Sequence, residues 1–247
     1  MVTIKNKNQI EKMREAGRIA NLAQKAVEAA IRPGISTYEL DKIAEKTMRE
    51  NGAIPAEKGY PSGEKGVPPF PGSICASIND VVIHGIPSKK IILKSGDIIS
   101  IDIGANYHGY HGDAARTHAV GEISKERQHL IDVTKESFYA GMEFAKPGNR
   151  LSDISHAIEQ HVLKNNYSVV RDFTGHGVGR NLHEDPFIPN YGEAGHGPVL
   201  RKGMTLAIEP MVCMGKHFVR VAADGWTTAT VDHSDSAHYE NTILITD

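Results

Sequence analysis

The chain of 247 residues is long enough to bury a core of its own, and 40% hydrophobic with 23% charged residues is neither a disordered nor a fibrous composition. Lys+Arg 28 against Asp+Glu 30 leaves a formal charge of −2, which removes the electrostatic case for nucleic acid or an anionic membrane as the main partner. No run of about 18 apolar residues occurs, and Lys5, Lys7, Glu11, Lys12 and Arg14 leave no room for the apolar centre of a signal peptide. Two cysteines, Cys75 and Cys213, are too few for a disulfide scaffold and suit a reducing compartment. The expectation is a cytoplasmic globular protein whose metal sites, if any, draw on the 13 histidines and the carboxylates.

Residues 8–31 place Ile10, Met13, Gly17, Ala20, Val27 and Ile31 at helical spacing. After Pro33-Gly34, Ser36-x-x-Glu39 reads as a capping box for a second helix carrying Leu40, Ile43, Ala44 and Met48, which Gly52 ends. A turn glycine, Gly96, then leads into a strand, Ile98 to Asp102, that turns through Asn106–Gly109 and returns over Gly112–Thr117 as a hairpin. The sequence then repeats itself. A helix over 124–144 carries Leu130, Val133, Phe138 and Met142, and Pro147-Gly148 opens another with Leu151, Ile154, Ile158 and Val162. Val199 to Glu209 reads like Ile92 to Asp102: an apolar pair, a basic residue, a turn glycine and a strand ending in a carboxylate. Strands near 217–223 and 226–231 precede a closing strand from Ala237 to Ile245.

The pattern predicts an α/β (α+β) fold with pseudo-two-fold symmetry and a central, mostly antiparallel sheet with helices packed on one side. It predicts one catalytic domain over 1–247, built from a repeat of about 8–120 and 121–247. The repeat decides where charge goes. Side chains alternate along a strand, so Asp102 shares a face with Ser100, and Glu209 with Ala207. The hairpin sets Asp113 beside Asp102, and the closing strand adds Glu240. If the halves close about a pseudo-dyad, the four acids converge. Buried carboxylates need compensation, and two divalent cations balance four of them. One imidazole biases such a site toward transition metals, and His176, between Gly175 and Gly177, is the candidate. Ion pairs with Lys or Arg, or a shared proton, are the competing readings. Gly175 to Gly179 lacks the G-x-G-x-x-G spacing of a dinucleotide loop, and His183-Glu184 has no second histidine four residues on.

The segments Val82-Ile83-His84-Gly85-Ile86-Pro87, Ser100-Ile101-Asp102-Ile103-Gly104, Tyr110-His111-Gly112-Asp113, Thr174-Gly175-His176-Gly177-Val178-Gly179, Leu182-His183-Glu184-Asp185-Pro186, Leu206-Ala207-Ile208-Glu209-Pro210-Met211 and Tyr239-Glu240-Asn241-Thr242 resemble type I methionine aminopeptidase. The resemblance runs in order from about residue 8 to the end and implies the pita-bread fold. It implies metal ligands Asp102, Asp113, His176, Glu209 and Glu240, with Asp113 and Glu240 bridging two divalent ions, Co, Mn or Fe. It makes Glu209 a proton shuttle for a metal-bridged hydroxide, and places His183 at the scissile carbonyl and His84 at the scissile amide. Phe70, Cys75, Leu182 and Trp226 join those two histidines around the methionine side chain. The implied substrates are nascent polypeptides with N-terminal Met and a small second residue, met near the ribosome by a monomer, with no nucleic acid or membrane involved. Three departures stand out: His238 and Asn241 where Gln-x-Glu-His-Thr is usual, Leu182 at a usually aromatic position, and a longer loop over 55–72. An X-Pro peptidase and a non-catalytic peptide-binding module remain as alternative readings.

Overall fold

The computed structural model describes residues 2–246. Helices α1 (Lys7–Ala30) and α2 (Thr37–Glu50) are followed by β1 (Ile54–Pro55), β2 (Cys75–Ile78), β3 (Val81–Ile83), β4 (Ile98–Tyr107) and β5 (Tyr110–Ala119). Helices α3 (Lys125–Met142) and α4 (Leu151–Lys164) precede β6 (Ser168–Val169), β7 (Gly175–Gly177), β8 (Glu184–Ile188), β9 (Thr205–Ile208) and β10 (Met211–Cys213). The chain ends with β11 (Val219–Val221), β12 (Thr228–Thr230), β13 (Ser236–His238) and β14 (Asn241–Leu244). Among the described residues the strands form four sheets, β1-β4-β2 with β5 on β4, β13-β10-β6, β11-β12-β3 and β14-β9-β7-β8, and every pair is antiparallel.

Local chemistry sets the element boundaries. Asn6 and Gln9 form a capping box at the start of α1, as Ser36 and Glu39 do for α2. The β4–β5 hairpin closes through His108 (φ +49°) and Gly109 (φ +77°), the two left-handed positions of a tight turn, so Tyr107 pairs with Tyr110. One strand not expected from the sequence, β10, follows Glu209, and the expected closing strand is divided in two. Pro210 follows Glu209 and separates β9 from β10, because it has no N–H for the ladder. Tyr239-Glu240 separates β13, which pairs with β10, from β14, which pairs with β9. One continuous sheet therefore becomes several, and an acid sits at each break.

The two Pro-Gly segments make matching contacts. Gly34 N–H donates to Leu93 O at 2.8 Å and Leu93 N–H to Ile35 O at 2.9 Å. Gly148 N–H donates to Leu200 O at 3.0 Å and Leu200 N–H to Asn149 O at 2.8 Å. Each helix pair is thereby tied to the start of the strand that carries its acid.

Alternation along β4 separates core from site. Ile99, Ile101 and Ile103 pack with Ile19, Ala23 and Val27 of α1 and Leu40, Ala44 and Met48 of α2. A second core joins Phe138, Ile154 and Ile158 to Leu206 and Ile208. The seam between the halves runs along β5. Glu240 N–H donates to Ala115 O at 2.9 Å, the Thr242 hydroxyl accepts from Asp113 N–H at 2.8 Å, and the Thr117 hydroxyl accepts from His238 N–H at 2.9 Å.

Helix α1 approaches β5 closely through glycine. A Cβ on Gly112 would lie 2.4 Å from the Gly17 nitrogen and 2.7 Å from its Cα, whereas a Cβ on Gly17 would meet nothing within 4 Å. Gln24, buried, donates from Nε2 to Ile101 O at 2.8 Å and Ala114 O at 2.7 Å, fastening the same helix to the hairpin. Gly112→Ala should therefore cost about 1–3 kcal/mol through backbone displacement, while Gly17→Ala should be neutral or stabilising by up to about 1 kcal/mol. Urea unfolding midpoints of the two variants check this pair.

Candidate metal centre

Asp102 lies opposite Ala115 and Asp113 opposite Gly104, so the two acids occupy diagonal positions on one face of the β4–β5 hairpin, away from the isoleucine core. Backbone pairing of Ala115 with Glu240 brings the third acid to the same place. Glu209 directly follows β9, and His176 on β7 pairs with Ala207, whose small side chain leaves the imidazole room. His176 Nε2 is 3.4 Å from Glu209 Oε1 and 3.9 Å from Asp113 Oδ2. Its Nδ1 lies 2.9 Å from the Gly177 carbonyl, which can only accept, so Nδ1 carries the proton and Nε2 offers a lone pair to the acids. All five residues named as ligands from the sequence are thus brought together.

Two further groups join them. His238 Nε2 stands 3.9 Å from Glu209 Oε2 and 3.8 Å from Glu240 Oε2. Glu57 approaches Asp102 and Asp113 from the loop after β1. Ligand atoms lie within 4.8 Å of one another in each of three groups: Asp102, His238 and Glu240; Asp113, His176 and Glu240; Glu57, Asp102 and Asp113. Counting back two from Glu240 would have placed His238 near the acids. Glu57 carried no such signal, since loop residues have no period.

Burial is the first cause of every shift in the cluster. It pushes the carboxyls of Asp102, Glu209 and Glu240 well above the usual range, with the negative charge of Asp113 next, and it raises Asp113 itself. His238 is driven down to about 3, again chiefly by burial, so it is neutral at neutral pH. Asp102 Oδ1, Asp113 Oδ1, Glu209 Oε1, Glu240 Oε1 and Glu57 Oε2 are buried without a hydrogen-bond partner, and among the described residues no Lys or Arg pairs with any of these side chains. The ion-pair reading of the sequence therefore fails here. Converging bare carboxylate oxygens with an imidazole lone pair are a donor set for hard or borderline divalent cations, and the residues fit them.

Beside the acids is a cavity of about 130 Å³, lined by Glu57, Tyr60, Phe70, Cys75, His84, Asp102, Asp113, Leu182, His183 and Trp226. Every pocket residue named from the sequence lines it. Trp226 donates from Nε1 to Pro68 O at 2.9 Å and stacks edge-on against Phe70 (5.3 Å) and His84 (6.0 Å), which fastens the proline-rich loop over the slot. The Tyr60 hydroxyl is 2.6 Å from His183 Nδ1, a contact that sequence reading missed because Tyr60 belongs to that loop. Burial lowers His84 and His183 to about 4, with a neighbouring imidazole as the next cause, so both are neutral at neutral pH. A wider cleft of about 840 Å³, bounded by Asn79, Asp80, Lys90 and Asp224, holds no comparable cluster.

Residues 11–247 match metallopeptidase family M24, and the chain belongs to that family. It is 53% identical over 247 residues to the methionine aminopeptidase of Clostridium acetobutylicum, spanning 100% of this chain and 96% of that one. It is 52% identical, over the same shares, to methionine aminopeptidase 1 of Bacillus subtilis. The crystal structure of methionine aminopeptidase from Thermotoga maritima superposes with a TM-score of 0.95 at 46% identity, covering 100% of this chain and 96% of that one. A prolidase from Pyrococcus furiosus gives 0.77 at 27% identity, over 99% of this chain and 63% of the prolidase. The architecture is the pita-bread fold shared by these enzymes.

Raised carboxyl pKa values favour the protonated, cation-free fold at low pH, and that stability drains away as pH rises through the folded-state values. Chelator-treated protein should therefore lose stability as pH rises above the ordinary carboxylate range, and saturating Mn should remove the slope by binding the ionised acids. At about 100 times its dissociation constant the ion should add about 2.7 kcal/mol. Asp113→Asn should abolish that gain. Thermal melts with EDTA and with metal check both statements.

Proposed function

We propose that the chain is an aminopeptidase that removes the initiator methionine from new polypeptides, using residues 1–247 as one catalytic domain of two similar halves. The observation that carries the reading is the set of buried, unpartnered carboxylate oxygens and one imidazole lone pair opening onto a small, largely apolar slot. Asp102, Asp113, His176, Glu209 and Glu240 would hold two divalent ions, Co, Mn or Fe. When bound, such ions supply Lewis acidity and make water a nucleophile at neutral pH.

This chain's side chains do the rest. Glu209, whose Oε1 has no partner, takes a proton from water and returns it to the leaving amine. With Tyr60 donating to Nδ1, neutral His183 keeps a proton on Nε2 and donates to the scissile carbonyl oxygen as charge develops there. His84, held at φ +57°, turns its ring toward Trp226 and the slot, where it meets the scissile amide. Phe70, Cys75, Leu182 and Trp226 give the slot apolar walls for an unbranched thioether. The exclusion of large second residues is assigned to the adjacent wall. The setting is cytoplasmic, near the ribosome, and the enzyme acts as a monomer.

Protein loaded with Co, Mn or Fe should cleave Met-Ala-Ser and leave Leu-initiated and X-Pro peptides intact. Cleavage of X-Pro peptides alone would favour the prolidase-like reading, and binding without cleavage in every metal would favour a peptide-binding module. His183→Ala should lower turnover about 10²–10³-fold with the fold unchanged.

A further inference from the structure

Glu57 lies outside the ligand set just described, yet the fold makes room for it. Pro55 pairs with Ala105, and Ala56 N–H donates to Gly104 O at 2.9 Å, so the loop crosses β4 directly above Gly104. Glu57 Oε1 accepts the Gly104 N–H. A Cβ on residue 104 would lie 2.9 Å from Oε1 and 3.2 Å from Leu182 Cδ1, so the glycine is what lets the carboxyl sit there. The residue is 7% exposed, and its other oxygen, Oε2, is buried without a partner. Glu57 belongs to the group with Asp102 and Asp113 and lines the slot that also contains Leu182 and His183.

A buried acceptor with one oxygen tied and the other bare, between an apolar slot and the acids, suits a small cationic donor that arrives with an apolar side chain. We propose that Glu57 Oε2 accepts a hydrogen bond from the α-amino group of the substrate and so determines specificity for a free N-terminus. The inference rests on the aminopeptidase reading above. An internal residue offers a single neutral amide N–H with more chain attached, a weaker and more crowded donor to that oxygen than an α-amino group.

Glu57→Gln keeps the shape and the acceptor for Gly104 N–H but removes the charge. With the Mn-loaded enzyme it should raise KM for Met-Ala-Ser about 10–100-fold, with kcat changed much less, and with metal content by elemental analysis and the melting temperature equal to the parent. Calorimetry reads the same residue without turnover. The parent should bind L-methioninamide at least tenfold more tightly than its des-amino analogue, γ-(methylthio)butyramide. Glu57→Gln should erase that preference, and Glu57→Asp should recover part of it. An unchanged KM and preference in Glu57→Gln would overturn the proposal, as would loss of metal from it, which would make Glu57 a cation ligand instead. If Glu57→Gln does not fold, the parent's preference decides: its absence would overturn the proposal, and its presence with partial retention in Glu57→Asp would sustain it. A parent that binds methioninamide selectively yet cleaves no peptide would sink the aminopeptidase reading and leave the amine contact standing.

Discussion

Burying several carboxylates together without a basic partner is the constraint from which the rest of this molecule follows. Each buried acid costs several kcal/mol if left ionised and alone. Here Asp102, Asp113, Glu209 and Glu240 meet with one oxygen of each bare, and Glu57 adds another. A protein can carry such a cluster only if cations or protons occupy it, so the energetics and the chemistry of the site are the same fact. The strand breaks at Pro210 and at Tyr239-Glu240 serve this arrangement, because they turn the chain where the acids must converge.

The scaffold answers that constraint with rigidity on the opposite face. Ile99, Ile101 and Ile103 lock β4 to α1 and α2, while the alternating residues present Asp102 and Gly104 to the site. Gly112 against Gly17, and Gln24 bridging Ile101 and Ala114, hold α1 tightly on the same hairpin. The seam along Asp113, Ala115 and Thr117 fixes the second half in register with the first. A hydrolytic site needs its groups held to well under 1 Å, and backbone ladders on both sides of the cluster provide that.

The slot beside the acids belongs to a different layer. The slot is walled by residues from the loop over 55–72, from the segment around His84, and from Leu182, His183 and Trp226. These parts meet through side-chain contacts: Trp226 to the Pro68 carbonyl, Phe70 to Trp226, Tyr60 to His183. The architecture is shared with a prolidase, and a common scaffold can act on different substrates when its loops differ.

The four helices, the hairpin and its turn, the repeated Pro-Gly breaks and the identity of the converging acids were legible in the sequence, because each depends on short-range periodicity or on the chemistry of one or two residues. Helical spacing located α1 to α4 within a residue or two, and alternation by two put Asp102 on the face of Ser100 and Glu209 on that of Ala207. What the sequence did not reveal was the division of the sheet, the diagonal offset between Asp102 and Asp113, and the arrival of Glu57, Tyr60 and His238 at the centre. Those features depend on how segments far apart in the chain lie against one another. Strand register between the halves brings in His238, and an aperiodic loop folded over a glycine brings in Glu57. Local patterns determine which residues can point together, whereas long-range packing alone decides which of them touch.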